Sequence, residues 1–513
     1  DDYEPREEQR VMAEAVRYAF DSSRNLMVEA GTGVGKSMAY LVPATMTSLI
    51  NNVTVGVATK TNALLDQLVY HELPALADAL AASDPAAPRL SYAALKGFSH
   101  YICLRKAQRL ADDGPRMRLV GTEERTQAPA IATLLSFIEQ TAYDDLDTLK
   151  IDRRLLPRAS YTTTSHDCLR RKCPFYGTSC FVHGARRRAQ ASDIVVTNHS
   201  LLFCDLAAEG GLLPSSKFWV VDEAHGAENE ARRAFSLEIS ADDLQHLARR
   251  VGEPESTRNL FVRAERNVTA PGADGDGTLF FALTSKAKKA GSAFAEVAEA
   301  FATTGLRELL FFDDAPRAKG YDLVELWVND AMRRSERFQA LAGQARTLIE
   351  RAEKLTTACQ ELVGYLEDVE GAQVIQREIA SAAMELKELV NAAEAIMLQG
   401  GEGYVYAATL SRKGDRGHDR IEALPYNVGA TLGETLYATT FSVVFASATL
   451  AVDQSFASFE EAMGLNAGEE SRARELQLAS SYDFDAHMRV YVPDDMPEPN
   501  DPAYLPALQE LLR

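Results

Sequence analysis

Short apolar runs recur along the chain and are separated by longer stretches with helical periodicity. The runs are rich in β-branched and other apolar residues, and they occupy positions 26–28, 53–58, 193–197, 218–221 and 442–446. Buried strands that recur between helical stretches are typical of a parallel sheet. The pattern therefore predicts an α/β fold whose parallel sheet is interrupted twice.

The two interruptions span residues 96–191 and 232–424. The second is helical and carries apolar residues at alternating spacings of three and four, namely Phe338, Leu341, Ala345, Leu348, Ala352, Leu355, Cys359, Leu362 and Leu366. This spacing keeps the side chains on one stripe of a helix. We predict a packing seam on which Cys359 is a small core residue.

The length of 513 residues exceeds what one hydrophobic core usually serves, which predicts two to four domains. Hydrophobic residues make up 46% of the chain and charged residues 25%, as in ordinary globular proteins. No apolar run is long enough for a membrane helix, and the first residues lack the apolar core of a signal peptide. We expect a cytoplasmic protein, trimmed or part of a longer one.

The formal net charge of −20 at first argues against a nucleic-acid partner, because phosphate binding needs clustered Lys and Arg. The net charge is locally positive, however, since residues 150–190 carry ten Lys and Arg residues and only two acidic residues. A run of charge is often only a solvated surface. An excess this large in an acidic chain nevertheless favours a polyanion partner.

The stretch "AGTGVGKS", Ala30 to Ser37, has the spacing of a phosphate-binding loop, with Ala30 in place of the usual leading glycine. Its three glycines let backbone N–H groups converge on phosphate oxygens. Lys36 can reach the β- and γ-phosphates, and Ser37 can ligate Mg²⁺. The loop lies between a predicted strand and a predicted helix, so the stretch predicts an ATP site.

The stretch "FWVVDEAHGAENE" supplies the second half of such a site. An apolar strand ends at Asp222 and Glu223, and the carboxyl ends of strands are where α/β sheets bind ligands. Asp222 can hold Mg²⁺, directly or through water. Glu223 can orient and deprotonate the attacking water.

Asp222, Glu223, Ala224 and His225 form a DEAH box, and with the phosphate loop they make the chain resemble the superfamily 2 DNA helicases. Three further stretches agree in order: "VATKTNALLDQL" (57–68) resembles motif Ia, "TNHSLL" (197–202) the segment before the DEAH box, and "ASATL" (446–450) motif III. Arg6 and Gln9 match the upstream element that recognises adenine.

The resemblance implies roles for residues beyond Asp222 and Glu223. The nucleotide-binding set is Arg6, Gln9, Ala30, Gly31, Thr32, Gly33, Val34, Gly35, Lys36 and Ser37. The residues that couple nucleotide state to DNA are His225, Ser447 and Thr449. The DNA contacts expected near the sheet are Thr59, Lys60, Thr61, Asn62, Asn198 and His199.

The two insertions narrow the resemblance to the XPD-like iron–sulfur helicases, and within them to the DinG/YoaA group. "KGFSHYIC" (96–103) is similar to that group's lead-in, except that Phe98 replaces an arginine that could contact phosphate. The resemblance implies a RecA-like motor, a [4Fe–4S] cluster with ATP and Mg²⁺, and 5′ to 3′ translocation on single-stranded DNA. It also implies a role in DNA repair or replication.

The resemblance also implies a domain order. It predicts three parts of a first motor domain at 1–95, 192–231 and 425–470, an iron–sulfur domain at 96–191, a helical arch at 232–424 and the start of a second motor domain at 471–513.

Three of the chain's six cysteines, Cys168, Cys173 and Cys180, fall within thirteen residues. A disulfide is disfavoured because nothing points to export. Their spacing leaves zinc, with His166 and His183 as further ligands, level with iron–sulfur. The resemblance adds Cys103 as a fourth thiolate and favours the cluster, which leaves the histidines structural. We expect Cys204 to be a core residue.

The cluster would hold a basic wedge of Arg170, Arg171 and Lys172 where DNA enters. Tyr101, two residues before Cys103, could stack on a base or equally pack beside the cluster. We expect single-stranded and forked or tailed duplex DNA as partners and a monomeric protein.

Two departures limit what the resemblance implies. "SSYDF" (480–484) only loosely matches the element that begins the second motor domain, and the chain ends soon after the strand-like "RVYV" (489–492), before any arginine finger. Such a finger is worth roughly 10³–10⁵ in rate. The expected function is an ATP-dependent DNA helicase. The alternatives are a non-unwinding DNA binder that uses ATP structurally and a motor fused to a nuclease or associated with CRISPR.

Overall fold

The structure is a computed structural model that describes most of the chain. The described residues are 6–86, 88–121, 123–141, 143–165, 167–208, 210–253, 256–257, 259–268, 277–313, 322–401, 403–412, 418–466, 473–482 and 484–512.

The strands form one large sheet, one four-stranded sheet and one hairpin. They are β1 Asn25–Ala30, β2 Val55–Thr59, β3 Tyr92–Ala94, β4 Met117–Val120, β5 Glu123–Thr126, β6 Ile194–Asn198, β7 Phe218–Asp222, β8 Leu237–Ser240, β9 Leu323–Trp327, β10 Tyr404–Ser411, β11 Arg420–Pro425, β12 Ser442–Ser447 and β13 Ala473–Leu478.

The α-helices lie between and around these strands. They are α1 Glu7–Asp21, α2 Lys36–Asn51, α3 Asn62–Gln67, α4 Leu73–Ser83, α5 Leu104–Asp113, α6 Ala128–Gln140, α7 Phe181–Gln190, α8 His199–Ala207, α9 Ala227–Ala234, α10 Ala241–Val251, α11 Leu260–Asn267, α12 Thr278–Ala300, α13 Asp330–Arg334, α14 Glu336–Leu366, α15 Gln373–Ala393, α16 Gly429–Leu432, α17 Ala457–Met463, α18 Phe484–His487 and α19 Tyr504–Leu511.

The large sheet has seven strands in the order β13-β1-β12-β7-β2-β6-β3. Every pair is parallel. Alternate residues of a strand enter two separate hydrophobic clusters, as Leu26 and Val28 do on one face and Met27 on the other. A sheet covered on both faces explains why its strands are continuous apolar runs. The predicted α/β fold with a parallel sheet is confirmed.

Near the end of the chain, one predicted domain assignment and one predicted strand differ from the structure. Residues 473–478, assigned from the sequence to a second motor domain, form β13 and pair with β1 in the large sheet. Residues 489–492, predicted to be strand-like, adopt no strand, and Val490, Tyr491 and Val492 are exposed. A strand needs a pairing partner, and the described part of the chain offers none to these residues.

The second insertion combines the four-stranded antiparallel sheet, in the order β8-β11-β10-β9, with long helices. Helix α14 runs for 31 residues, and all nine residues of the predicted seam are buried on it. Cys359 is fully buried, and burial raises the pKa of its thiol to about 12. The prediction of a packing seam with Cys359 in the core is confirmed.

Lys96, at the start of the first insertion, is a buried cation at the centre of a cluster of aspartates. Its side chain is 1% exposed, and its Nζ lies 2.8 Å from Asp66, 3.0 Å from Asp145 and 2.7 Å from Asp147. Asp66 belongs to α3 beside the large sheet, whereas the other two carboxylates belong to the insertion. The lysine therefore joins the insertion to the sheet domain.

The same cluster shifts the pKa of its members. Burial opposes ionisation of Asp147, but hydrogen bonds from Lys96 and His100 outweigh it and hold the pKa of that carboxyl below its usual range. Burial would likewise lower the pKa of Lys96, but the three aspartates raise it above its ordinary value. Both shifts mean that the charged forms are stabilised by folding.

None of the described helices is both long enough and apolar enough to cross a lipid bilayer.

We predict that Lys96→Met destabilises the junction between the insertion and the sheet by about 2–4 kcal/mol, because it leaves three carboxylates without their buried cation. Urea unfolding followed by circular dichroism measures the loss. Because the folded pKa of Asp147 is lowered, the contribution is complete above the ordinary Asp value of about 3.9 and is lost as pH falls through the lower folded value.

The matched control is Lys150→Met, which removes an exposed lysine from the same insertion. We expect its urea midpoint to stay near that of the wild type. Equal midpoints for the two variants at neutral pH contradict the structural role of Lys96.

Candidate functional site

The phosphate-binding loop joins β1 to α2 at the carboxyl edge of the large sheet. Gly33 and Gly35 adopt φ values of +87° and +81°, a left-handed region in which a side chain would be strained. Gly35 directly precedes α2, so the free N–H groups of the first turn face the loop. Lys36 and Ser37 stand in that turn, where the helix dipole favours an anion.

The two residues predicted to recognise adenine hold this loop from one side. The Gln9 side-chain amide donates to the Gly35 carbonyl at 3.0 Å, and Arg6 donates to the Gly33 carbonyl. Both partners are backbone oxygens of the loop. The contact of Arg6 and Gln9 with adenine stays a prediction.

Two residues that sequence reasoning missed hold the loop from the other side. Since β13 is parallel to β1 and adjacent to it, the segment after β13 reaches the same edge as the loop. The Ser480 hydroxyl donates to the Thr32 carbonyl at 3.0 Å, and the Tyr482 ring lies against Gly33. A Cβ atom at Gly33 would come within 2.3 Å of that ring.

Asp222 ends β7 and faces the loop from a buried position. It is 7% exposed, and the Tyr40 hydroxyl on α2 donates to its Oδ2 at 3.0 Å. Burial, and next the neighbouring charge of Glu223, raise the pKa of Asp222 to about 6, although Tyr40 and Lys36 oppose the shift. A cation at this carboxylate would relieve that cost. Tyr40 gave no sequence signal, because its partner lies 182 positions away.

Glu223 adopts a left-handed backbone conformation, with φ of +53°. Such a conformation costs a residue with a side chain roughly 1–3 kcal/mol and is often found at functional sites. Its Oε1 lies 3.4 Å from the Lys36 Nζ. The structure therefore brings Lys36, Asp222 and Glu223, the residues predicted to act in catalysis, together at one edge of the sheet.

His225 contacts both motif III and motif Ia. Its Nδ1 lies 2.9 Å from the Ser447 hydroxyl and 3.3 Å from Glu223 Oε2, and its Nε2 lies 2.8 Å from the Lys60 Nζ. The Thr449 amide donates to the Ser447 hydroxyl at 3.3 Å. The three residues predicted to couple nucleotide to DNA are thus adjacent.

Glu29, the penultimate residue of β1, fixes the motif III segment. Its Oε2 accepts hydrogen bonds from the amides of Leu450 at 2.6 Å and Ala451 at 2.7 Å, and its Oε1 accepts one from Gln477. Burial opposes its ionisation, but these hydrogen bonds hold the pKa of Glu29 below its usual range. The sequence gave no signal for this residue, since its partners lie more than 400 positions away.

Several predicted DNA contacts lie together where β2 and β6 end. Lys60 and Thr61 are exposed, and the Asn198 amide donates to Asn62 Oδ1 at 2.8 Å. Thr61 and Asn198 also cap the N-termini of α3 and α8. These four polar residues form one surface beside the DEAH box.

Three of the residues predicted to contact DNA have buried side chains in the structure. Thr59 and His199 are 0% exposed, and His199 Nε2 lies 2.8 Å from the Asp222 carbonyl. Burial lowers the pKa of His199 to about 4. Tyr101 is 2% exposed and accepts a hydrogen bond from the Lys96 amide, so the packing alternative holds. Burial also raises the pKa of Tyr101 to about 12.

The basic segment of the first insertion is partly described. Arg170 and Arg171 are exposed, whereas the side chain of Lys172 lies outside the described residues. Arg186 stacks its guanidinium 4.6 Å from the centre of the Phe98 ring. The phenylalanine that replaces the group's arginine therefore supports an arginine from another part of the insertion.

Cys103, Cys168, Cys173 and Cys180 line one cavity, although Cys103 is far from the others in sequence. The remaining walls are largely apolar, and none of the four thiols is in a disulfide. Burial raises the pKa of Cys168 and Cys180, so a bound metal would be needed to hold their thiolates. Across the described ranges, no group of three or more His, Cys, Asp or Glu side chains is arranged to hold a metal ion.

The other residues of the cysteine analysis fall on different surfaces. His183 Nε2 lies 3.9 Å from Cys168 Sγ, and burial lowers the pKa of His183 to about 4. His166, the other candidate zinc ligand, is not among the described residues. Cys204 is exposed, so its assignment to the core is wrong. It follows Leu202 and Phe203 on α8 but points away from the core that they enter.

We predict that Glu29→Ala frees the motif III segment, because two backbone N–H groups lose a charged acceptor. The loss amounts to about 1–3 kcal/mol of local stability. Hydrogen exchange followed by mass spectrometry should show faster exchange at Leu450 and Ala451. Glu7→Ala, an exposed carboxylate on α1, serves as the control and should leave those amides unchanged. Unchanged exchange in Glu29→Ala contradicts the assignment.

No family model matches the chain. It is 36% identical over 263 residues to the ATP-dependent helicase DinG of Mycobacterium tuberculosis, an alignment that covers 49% of this chain and 39% of that relative. It is 28% identical over 524 residues to the ATP-dependent DNA helicase YoaA of Escherichia coli, which covers 100% of the chain and 69% of the relative. The chain thus spans well under half of the mycobacterial relative.

The chain is also similar to a further curated relative and to a solved structure. The 3′-5′ exonuclease DinG of Bacillus subtilis is 24% identical over 533 residues, covering 100% of the chain and 52% of that relative. Among solved structures, an XPD helicase aligns with a TM-score of 0.40 and 12% identity over 93% of this chain and 63% of that one. The chain is thus similar in sequence to DinG and YoaA helicases, and its similarity to YoaA extends over its whole length.

Proposed function

We propose that the chain is the ATP- and DNA-binding part of an ATP-dependent DNA helicase that moves 5′ to 3′ on single-stranded DNA in repair or replication. The observation that carries the proposal is the convergence of Lys36, Glu223 and His225 with Ser447 at one sheet edge. The protein would act in the cytoplasm as a monomer.

The nucleotide site has a role for each group that lines it. The N–H groups at the start of α2 would bind the phosphates, and Lys36 would bind the oxygens that are transferred. A Mg²⁺ ion at Ser37 and Asp222 would neutralise charge that develops on the phosphates. Glu223 would orient the attacking water and accept its proton.

The DNA site would lie where β2 and β6 end. Lys60, Thr61, Asn62 and Asn198 offer an ammonium, hydroxyl and amide groups on one surface, which suits a phosphate backbone. The exposed Arg170 and Arg171 would extend this surface from the first insertion. These contacts read no base, so single-stranded, forked and tailed DNA would all bind.

Contact between the two insertions supports a closed path for the strand. Glu378 on α15 of the second insertion lies 3.3 Å from Arg105 and 3.9 Å from Arg109, both on α5 of the first. Arg263 on α11 lies 2.6 Å from the same carboxylate. An arch held to the cysteine-bearing insertion in this way would enclose a single strand beside the sheet edge.

The four thiols that line one cavity suit a [4Fe–4S] cluster, because such clusters are held by four Cys thiolates. The cavity walls supply the apolar surroundings in which a cluster is shielded from solvent. The cluster would crosslink residues 103 and 168–180 and fix the shape of the insertion. No step of ATP hydrolysis involves these residues.

The function is tested by strand displacement on a duplex with a 5′ single-stranded tail, with ATP and Mg²⁺ in excess. We expect the complete protein to displace the strand and Lys36→Ala to lose ATP turnover by at least about 10²-fold with its circular dichroism unchanged, because the lysine charge on the transferred phosphoryl group is gone. Residues 1–513 alone should bind nucleotide but hydrolyse it slowly.

The control substrate carries a 3′ tail and should not be unwound. ATP-independent DNA retention with no displaced strand from either substrate would identify a non-unwinding binder instead. Degradation of the strand would identify a nuclease-linked motor. Fast DNA-dependent turnover by residues 1–513 contradicts the need for an arginine finger outside them.

The cluster is tested by Cys173→Ser in protein purified without oxygen. We expect iron content and the visible absorption of the chain to fall, since one of four thiolates is lost. Cys204→Ser removes an exposed thiol outside the cavity and should keep both signals. A Cys173→Ser protein with the iron content of the wild type rejects this ligand, and stoichiometric zinc in place of iron rejects the cluster.

A further inference from the structure

Lys60 is held by the DEAH-box histidine although it stands on the surface proposed to bind DNA. It follows β2 directly and is exposed, yet its Nζ donates to His225 Nε2 at 2.8 Å. Its aliphatic stem passes close to Gly226, where a Cβ atom would lie 3.1 Å from the lysine Cε. The backbone next to His225 therefore leaves room for the lysine to reach the ring.

The contact continues from the histidine to the ATP site. Because Lys60 donates to Nε2, the imidazole must accept at that nitrogen and carry its proton on Nδ1. Nδ1 then faces the Ser447 hydroxyl at 2.9 Å and Glu223 Oε2 at 3.3 Å. Only His225 and Glu223 separate the Lys60 ammonium from Lys36, which lies 3.4 Å from the other oxygen of Glu223.

A DNA phosphate would compete with this arrangement. A hydrogen bond between an ammonium and a phosphate joins two opposite charges, whereas the bond to a neutral imidazole has one charged partner. The surface that would hold the phosphate is the one on which Lys60 stands, next to Thr61 and Asn62. The lysine can thus serve either the histidine or the phosphate.

We propose that Lys60 exchanges between His225 and a phosphate of bound DNA, and that this exchange sets the position of Glu223. The inference rests on the proposed function and names the side chain through which DNA acts on hydrolysis. Without DNA, the lysine holds the ring in the tautomer that engages Glu223 and Ser447. When DNA takes the lysine, the ring loses its Nε2 partner, and Glu223 is released to orient water.

In this account Lys60 is a positioning residue, since it acts on the reaction through His225. No covalent bond changes, and the proton on Nδ1 stays on the histidine. The sequence placed Lys60 among the DNA contacts and His225 among the coupling residues. The hydrogen bond between Lys60 and His225 explains how the DNA-contacting residues would affect the coupling residues.

The test compares Lys60→Met with Lys60→Arg and the wild type, in the 513-residue chain. Single-turnover hydrolysis, with protein in excess over labelled ATP, is measured without DNA and with saturating oligo(dT). Single-turnover conditions suit a chain that hydrolyses slowly. Binding of a labelled oligo(dT) is measured in parallel by fluorescence anisotropy over a range of salt concentrations.

We expect the ratio of hydrolysis rates with and without saturating oligo(dT) to fall to about one in Lys60→Met, since the coupling between the two sites is lost. We also expect the salt slope of oligo(dT) binding to fall by about 0.7, as one phosphate contact on a single strand is removed. Lys60→Arg keeps a cationic donor and should restore much of the ratio. Lys289→Met, an exposed lysine on α12, should match the wild type.

A purely DNA-contacting lysine gives a different result, in which Lys60→Met needs more oligo(dT) but reaches the wild-type ratio at saturation. That result overturns the inference, and so does an unchanged salt slope. A wild type that binds both ligands but hydrolyses ATP equally with and without DNA also overturns it, while the proposed nucleotide site stands. A wild type that binds neither ligand contradicts the proposed function itself.

Discussion

Parallel pairing of β1, β12 and β7 is the constraint on which the site depends. Parallel strands point their carboxyl ends to one edge, so the phosphate loop after β1, the DEAH box after β7 and motif III after β12 must meet there. More than 180 residues separate the first two in sequence. The sheet order converts that separation into side-chain contact, and Glu29 strengthens it by tying the motif III backbone to β1.

Both insertions leave the sheet at this edge, after β3 and after the DEAH box that follows β7, and charged side chains contact them there. Lys96 joins the cysteine-bearing insertion to α3, which follows β2 directly. Glu378 joins the same insertion to the helical one. The chain has a large negative charge overall, yet its interdomain contacts depend on a few cations with buried or half-buried partners. Such contacts are directional, because each carboxylate accepts from defined donors.

Much of the site could be predicted because its motifs are contiguous. Each of three features lies within about thirty residues and has its own sequence signal. The phosphate loop has its glycine spacing, the DEAH box has acidic residues at a strand end, and the seam of α14 has helical periodicity. Tyr40, Ser480 and Tyr482 could not be found in this way, since their roles exist only where distant segments meet. The four thiols were grouped from resemblance, and their common cavity is a tertiary property.

The differences between prediction and structure have a related cause. Thr59, His199 and Tyr101 stand inside motifs that we predicted to contact DNA, but a motif gives a position and not the direction of a side chain. Thr59 is the last residue of a wholly buried strand, and His199 turns inward to the Asp222 carbonyl. Their neighbours Lys60 and Asn198 keep polar groups toward the surface. Adjacent positions in the sequence thus differ, in that one side chain reaches the surface and the next packs in the interior.

Glu378 shows that substitutions at one ionic junction differ in their effect, depending on whether an arginine or the shared carboxylate is lost. Three arginines from two helices surround it, and loss of any one of them leaves the other two attached. Loss of the carboxylate would leave three guanidinium groups facing one another, and their mutual repulsion would push the insertions apart. All three contacts share this one carboxylate, whereas the two that cross between the insertions come from separate arginines of α5.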